Sequence, residues 1–472
     1  VTPTLFALFG YLLLQFGIGA VIARRLRSED DYLVAGRSLG WGLGTFTIFA
    51  TWFGAETVIG AAGTVYDEGV GATSAEPFGY ALCLLLMGLV FAVPLWRRGL
   101  TTLADLYAQR YSPTVARIAA LVLVPGSLLW AAAQVRAFGQ VLASTSATID
   151  ITLGVGVAAL LTIAYTTLGG MLADAITDVI QGAVLAISLV VLLFAVGSDV
   201  GGAQALLDTV RTAAASRAPV EPAGWLALAE TWAIPVCGSV VATELVTRVI
   251  STRSAHIARG SALLASGIYL LLGLVPVVLG LAGPVLVPGL ADAEQLLPTL
   301  AQRHLPGVLY VLFAGGLVSA ILSTVDTTLL TAGGLLTHNV AVPLLRITAP
   351  HQRLRVARVG VFACGVAAWA IASSAEGVFA LVEEASSFGT AGGLVTVCFG
   401  LFTRFGGPWA AGTTLVGALA VYLGATYGGL ATPFLASLAS ALLLYVAVGA
   451  WERSATTAAP ADTGAGVSAT GP

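Results

Sequence analysis

The chain has 472 residues, 57% of them hydrophobic and only 10% charged, with a formal net charge of −3 and a mean hydropathy of +0.93. Soluble domains carry roughly 25% charged residues, so this chain cannot cover a water-facing surface and reads as an all-α polytopic membrane protein. All 21 basic residues are arginine, which excludes lysine chemistry such as P-loop, Schiff-base and SxxK sites, and the basic share is too small for nucleic acid as a partner.

In chain order, apolar segments run at about 3–23, 41–65, 72–96, 115–147, 151–169, 175–198, 223–247, 258–284, 307–337, 356–375, 377–402, 408–427 and 431–451, which predicts thirteen transmembrane helices. The first reads as a true span and not a signal peptide, because no basic stretch precedes it and Arg24, Arg25 and Arg27 follow as a stop-transfer. Two segments are interrupted at mid-membrane, 41–65 by Gly54-Ala55-Glu56 and 223–247 by Pro235 and Gly238. Proline and glycine weaken a helix, and an opened helix is tolerated in a bilayer only where it faces a cavity. The connections 199–222 and 285–306 contain helix-like pieces and are expected to form small external lids. The polar stretch after Trp451 is expected to be disordered, with no appended signalling domain.

Arginine placement sets the orientation. Seventeen fall in loops on one side, among them Arg97, Arg98, Arg248, Arg253, Arg353 and Arg404, against Arg211, Arg217 and Arg303 on the other, with Arg136 alone inside a helix. The positive-inside rule then predicts N-out and C-in. His256, His304, His338 and His351 are all expected in solvated loops, so no intramembrane histidine metal site is expected. Cys83, Cys237, Cys364 and Cys398 lie in apolar segments and read as small core residues.

Paired broken helices that open two blocks of similar length point to an inverted-repeat transporter with its site at the midplane. The expected organisation is residues 1–40 as an extra helix and cytoplasmic link, 41–199 as the first repeat, 200–222 as an external loop, 223–402 as the second repeat, 403–452 as two further helices and 453–472 as a tail.

Three stretches carry a family likeness: AGRSLGWGLGTFTIFATWFGAETVIG, YTTLGGMLADAITDVIQ and LVSAILSTVDTTLLTAGGLLTHNV. Through them the chain resembles the solute:sodium symporter family from Ala35 to about Arg404. Within that family it is most similar to the choline-transporter branch, through ATW at 50–52, GY at 79–80, WAAA at 130–133 and STVDTTLL at 323–330. The resemblance implies a LeuT-like five-plus-five inverted repeat preceded by one helix and followed by two, in agreement with the thirteen counted. It further implies a multi-pass protein of the cell membrane that imports a small organic solute with Na+ as coupling ion, has no cofactor and is not an enzyme. The implied sodium ligands are the carbonyls of Ala50, Phe53 and Ala320 and the hydroxyls of Ser323 and Thr324. Asp178 and Asp326 are the implied residues of a second, more cytoplasmic ion position. The chemistry suits those residue types, since freed carbonyls and hydroxyls replace the hydration shell of a hard cation without a full negative charge. The hydroxyls can equally bond back to their own helix, and Asp178 can equally be an interfacial acid at a helix start.

Trp52, Tyr80 and Trp130 match aromatic positions of the choline-transporter branch, where aromatic faces hold a quaternary ammonium. Ala242 and Glu383 stand where further aromatics are expected, so that cage is incomplete. Acids gather instead: Glu56 beside the first break, Glu230 and Glu244 flanking the second, Glu383 with Glu384, and Asp326 near the ion site. Each ionised group at the bilayer centre costs at least about 2.5 kcal/mol, so a surplus of carboxylates calls for protons, sodium or a cationic ligand. The expected substrate is a cationic or zwitterionic amine contacted by Trp52, Glu56, Tyr80, Trp130, Ala242, Glu244 and Glu383. The alternatives are a proton-coupled transporter using the same carboxylates, a sodium symporter for an amino acid, carboxylate or sugar, and, remotely, a nutrient-sensing receptor.

Overall fold

A computed structural model describes residues 3–24, 26–72, 74–145, 150–215, 224–375 and 378–458. Its described residues are helical apart from turns and one isolated bridge between Leu39 and Thr252. The helices used below are α1 (Pro3–Ala23), α2 (Trp41–Trp52), α3 (Glu56–Glu68), α4 (Phe78–Arg97), α5 (Pro113–Thr145), α6 (Ile151–Asp199), α7 (Ala203–Ala215), α8 (Trp225–Ala233), α9 (Thr243–Ile250), α10 (Ala255–Leu286), α11 (Gly307–Leu336), α12 (Pro350–Ser374), α13 (Val378–Ser387), α14 (Thr390–Phe402), α15 (Pro408–Tyr427) and α16 (Pro433–Ala458). Among the described residues, ten helical stretches are long and apolar enough to cross a membrane, or eleven with α2 and α3 taken as one bent span. Leu160, Phe194, Leu271 and Leu443 each stand 70% exposed on outward faces. A bilayer accounts for such apolar surface where water would not.

The 49 residues of α6 would reach about 74 Å if straight, against a hydrocarbon core of roughly 30 Å. Gly170 breaks the helix with φ +66 and ψ −179. A Cβ there would lie 2.9 Å from the Tyr32 carbonyl oxygen, so only glycine fits. Tyr32 donates its hydroxyl to the Thr166 and Thr167 carbonyls at 3.1 Å each, satisfying acceptors next to the break. The segments expected at 151–169 and 175–198 therefore meet at a glycine pair with no loop between them.

Both expected helix breaks are present. At the first, Phe53 leaves helical geometry (φ −93, ψ 66) and α3 departs at 56° to α2 through a wide turn at Glu56–Gly60. The second lies later than expected. A wide turn at Ile234–Gly238 absorbs Pro235, and the chain opens only at residues 239–242, where Ala242 is extended (ψ 139) before α9 begins. Every residue of α11 from Phe313 to Leu335 is buried. It packs against α2, α5, α6 and α12, as expected of a helix that is apolar and small-residue-rich all round.

The expected lids contain α7 and a short helix at Leu296–His304, packed against α10 and α3 respectively; residues 216–223 lie outside the described residues. The expectation of a disordered tail from residue 453 needs correction, because α16 continues to Ala458; the remainder of the tail lies outside the described residues. Glu230, expected to flank the second break, is engaged with the C-terminal hairpin. Its carboxylate accepts the backbone N–H groups of Phe434 (2.6 Å) and Leu435 (2.8 Å) at the start of α16, capping that helix and fastening the final hairpin to α8. Replacing Glu230 with alanine strands those two donors, so Glu230→Ala is expected to lower stability by about 1–3 kcal/mol, read as a lower unfolding temperature in detergent, while solute affinity is unchanged.

Candidate functional site

The first helix opening lies against the middle of α11. Ser323 donates to the Ala50 carbonyl at 2.6 Å and to Ala320 at 3.1 Å, and Thr324 donates to the Thr51 carbonyl at 2.9 Å and to Ala320 at 3.1 Å. Four of the five expected sodium ligands, Ala50, Ala320, Ser323 and Thr324, are thereby brought together. Phe53 is the residue at which the helix opens, its N–H still bonded to Phe49 at 2.9 Å. The Thr51 carbonyl was missed by sequence reasoning, because a backbone oxygen leaves no mark in residue identity. Each hydroxyl bonds back to its own helix and forward to the opened one.

Beside this cluster lies a buried charge network that the sequence analysis misplaced. Arg248, expected in a cytoplasmic loop, is completely buried. Its Nη2 stands 2.5 Å from Asp174 Oδ2 and 3.3 Å from Asp178 Oδ2 and also donates to Thr327 Oγ1, while Nε donates to Thr51 at 3.1 Å. Asp178 is not an interfacial acid; it has no exposed surface and accepts a further bond from Thr47 on α2. Asp326 accepts from Thr166 at 2.6 Å, and one oxygen each of Asp174, Asp178 and Asp326 has no hydrogen-bond partner. Asp174 was passed over because it falls in the gap between the segments expected at 151–169 and 175–198. The break at Gly170 carries both acids inward. Among the described residues no group of three or more His, Cys, Asp or Glu side chains is placed to hold a metal ion, so any ion here relies on carbonyl and hydroxyl oxygens as well.

Six of the seven expected substrate residues divide between two adjoining cavities, and Trp52 lines neither. One, of about 120 Å³, is lined by Glu56, Tyr80 and Glu383 together with Glu76, which sequence reasoning passed over. The other, of about 20 Å³, is lined by Trp130, Ala242 and Glu244. They adjoin at Ser386, which bonds Tyr80 at 3.0 Å and lies 3.5 Å from Ser239. The rings of Trp52 and Trp130 meet edge to face at 5.2 Å, and Trp52 is 1% exposed. Glu56 Oε2 accepts from Gln134 at 2.8 Å, and Gln134 also accepts the Ala55 N–H at 3.2 Å. The Trp130 indole lies beside the Glu56 carboxyl without making a hydrogen bond to it. Glu244 is bonded by Ser127 and by Thr243, so both its oxygens already have hydrogen-bond donors within the protein.

His338 is a further correction, since it is partly buried between two acids, with 20% of its side chain exposed. Its Nδ1 lies 3.1 Å from Glu29 and its Nε2 3.3 Å from Asp105, joining the link after α1, the loop after α4 and the end of α11. Burial favours the neutral form of Asp105, but His338 and the Thr101 and Thr102 N–H groups outweigh it and hold that carboxyl below its ordinary value.

The sodium:solute symporter family model matches residues 32–417. The human high affinity choline transporter 1 is 27% identical over 402 residues, covering 80% of this chain and 69% of that protein. The sodium/pantothenate symporter of Escherichia coli K12 is 26% identical over 340 residues, 68% of this chain and 69% of the other. Among solved structures, a Na+-coupled sialic acid symporter in a substrate-bound outward-open state superposes with a TM-score of 0.83 over 96% of this chain and 98% of its own, at 18% identity. Mhp1, a nucleobase-cation-symport-1 family transporter, gives 0.61 over 90% and 96% at 17%. At such identities the structures speak for the fold, a LeuT-like all-helical transporter.

Removing one partner from a buried ion pair strands the other charge. Arg248→Met is expected to cost about 3–5 kcal/mol, and adding Asp174→Asn should recover part of the loss. Arg248→Lys should not, because a point ammonium cannot reach Thr51, Asp174 and Thr327 together. Thermal unfolding in detergent with the three variants checks this order.

Proposed function

We propose, from the premise that this chain belongs to the sodium:solute symporter family, that it is a sodium-coupled symporter importing a small organic amine, cationic or zwitterionic and choline-like in size. The observation that carries the coupling is the pair of hydroxyls, Ser323 and Thr324, set against the carbonyls of Ala50 and Thr51 at 2.6 and 2.9 Å. Rotating each hydroxyl hydrogen aside turns a donor–acceptor pair into two oxygens facing one point, which suits Na+. Asp178 and Asp326, each with an unpartnered oxygen, are the proposed neighbours of a second ion. The edge-to-face Trp52 and Trp130 pair and the Glu56 chamber support an amine as cargo.

In this scheme sodium draws α2 and α11 together and solute then closes the chamber beside Glu56. One Na+ moving through 100 mV supplies about 2.3 kcal/mol. A tenfold gradient adds about 1.4 kcal/mol, together enough for roughly 500-fold accumulation of a neutral solute. The proposed topology has thirteen spans in the cell membrane, N-out and C-in. It takes α1 as a full span, α2 with α3 as one and the two halves of α6 as two, with inverted repeats at 41–199 and 223–402.

The test is sodium-driven uptake by reconstituted protein. Ser323→Ala combined with Thr324→Ala is expected to abolish sodium dependence while the protein stays folded; sodium-driven uptake at the wild-type level would overturn the assignment. Uptake that follows pH and ignores sodium would favour proton coupling through Glu56, Glu244 or Glu383.

A further inference from the structure

The larger cavity holds more recognition chemistry than a choline-like cargo needs. Its walls combine apolar side chains such as Val65, Ile234 and Val382 with three carboxylates, Glu56, Glu76 and Glu383, and among the described residues include no arginine. Two of those acids share a pattern. Glu56, only 2% exposed, has Oε2 held by Gln134 at 2.8 Å and Oε1 without any partner. Glu76 has Oε1 held by the Tyr269 hydroxyl at 2.7 Å and Oε2 without any partner. Tyr269 lies in turn 2.5 Å from Thr57, the residue after Glu56, so hydrogen bonds tie Glu76 to the segment that carries Glu56. Each acid is oriented by one oxygen and offers the other.

Desolvated acceptors of this kind cost affinity unless the ligand brings donors to them. A quaternary ammonium brings charge but no N–H, and would leave both oxygens unpaired. The aromatic means of holding such a group is also thin in this chamber. Tyr80 contributes one ring, Ala242 stands where another was expected, and the Trp52 and Trp130 rings are packed on each other.

We propose that the cargo of this chamber is an organic cation that keeps N–H donors, a protonated primary or secondary amine, and that Glu76 sets this preference together with Glu56. The proposal rests on the symporter reading for its setting and goes beyond it in naming the donor chemistry and the residue. Both free oxygens take charge-assisted hydrogen bonds from the ammonium, the alkyl part lies along the apolar wall, and Glu383 at the mouth adds attraction without a fixed bond.

The experiment uses the full chain in detergent and in proteoliposomes, with ethanolamine, N-methylethanolamine, N,N-dimethylethanolamine and choline as probes. The four keep one charge and one skeleton while the N–H count falls from three to none. Binding measured by thermal shift and uptake measured by competition, each with and without sodium, should weaken along the series, by at least about tenfold from first to last. Glu76→Gln keeps an acceptor for Tyr269, so the fold is retained, and should flatten the series. Choline bound as tightly as ethanolamine, a series unchanged in Glu76→Gln, or no binding of any of the four would each overturn the inference. The sodium arm separates the two readings. Sodium-dependent binding of choline as tight as that of ethanolamine removes the N–H requirement and leaves symport standing, whereas a graded series indifferent to sodium keeps the N–H requirement and removes the coupling.

Discussion

Inside a bilayer every backbone polar group needs a partner from the protein, and that requirement governs this fold. Opening α2 at Phe53 releases carbonyls that lipid cannot satisfy. They can be released only against a helix that is itself buried all round and carries hydroxyls at the right height. Of the helices described, α11 meets both conditions, with Ser323 and Thr324 reaching Ala50 and Thr51. The same bonds make an ion site inexpensive to form, because a hydroxyl can rotate from donating to a carbonyl to sharing a cation with it.

Charge is handled in two different ways on the two sides of that opening. Around Asp174, Asp178 and Asp326 the protein supplies a cation of its own in Arg248, a forked donor that reaches Thr51, Asp174 and Thr327 from one position. Around Glu56 and Glu76 it supplies none, only single hydrogen bonds from Gln134 and Tyr269. A tethered counter-ion makes the first cluster a permanent brace between α2, α6, α9 and α11. In the second cluster one oxygen of each acid stays without a hydrogen-bond partner.

Much of this was legible in the residues because the membrane simplifies the code. Apolar run length located the spans, and a break rich in glycine and proline located both openings, the second displaced to 239–242 because a wide turn can absorb Pro235. Ser323 and Thr324 were readable as a pair through the family likeness of the stretch that carries them. Arg248 was not, because counting arginines by loop assumes that those near a segment end lie outside it, and α9 carries this one inward from an opened start. Glu76 was hidden for the converse reason: it precedes α4 in a polar stretch, and only Tyr269 from α10 shows that it faces the chamber. His338 likewise gained its neighbours Glu29 and Asp105 from segments far away in the chain.

In the proposed scheme, coupling between ion and cargo needs no long path, because seven consecutive residues, 50–56, belong to both proposed sites. Ala50 and Thr51 present carbonyls to α11, and the Thr51 side chain meets Arg248. Trp52 packs on Trp130. Ala55 and Glu56 are held by the two ends of the Gln134 amide. Gln134 lies four residues from Trp130, hence on the same face of α5, so one face of one helix grips the opened segment on its cargo side while α11 grips it on its ion side. Any displacement of residues 50–56 that improves contact with a solute at Glu56 also shifts the carbonyls that would hold sodium. Affinity for one must therefore depend on the other, and the dependence is reciprocal by thermodynamic necessity.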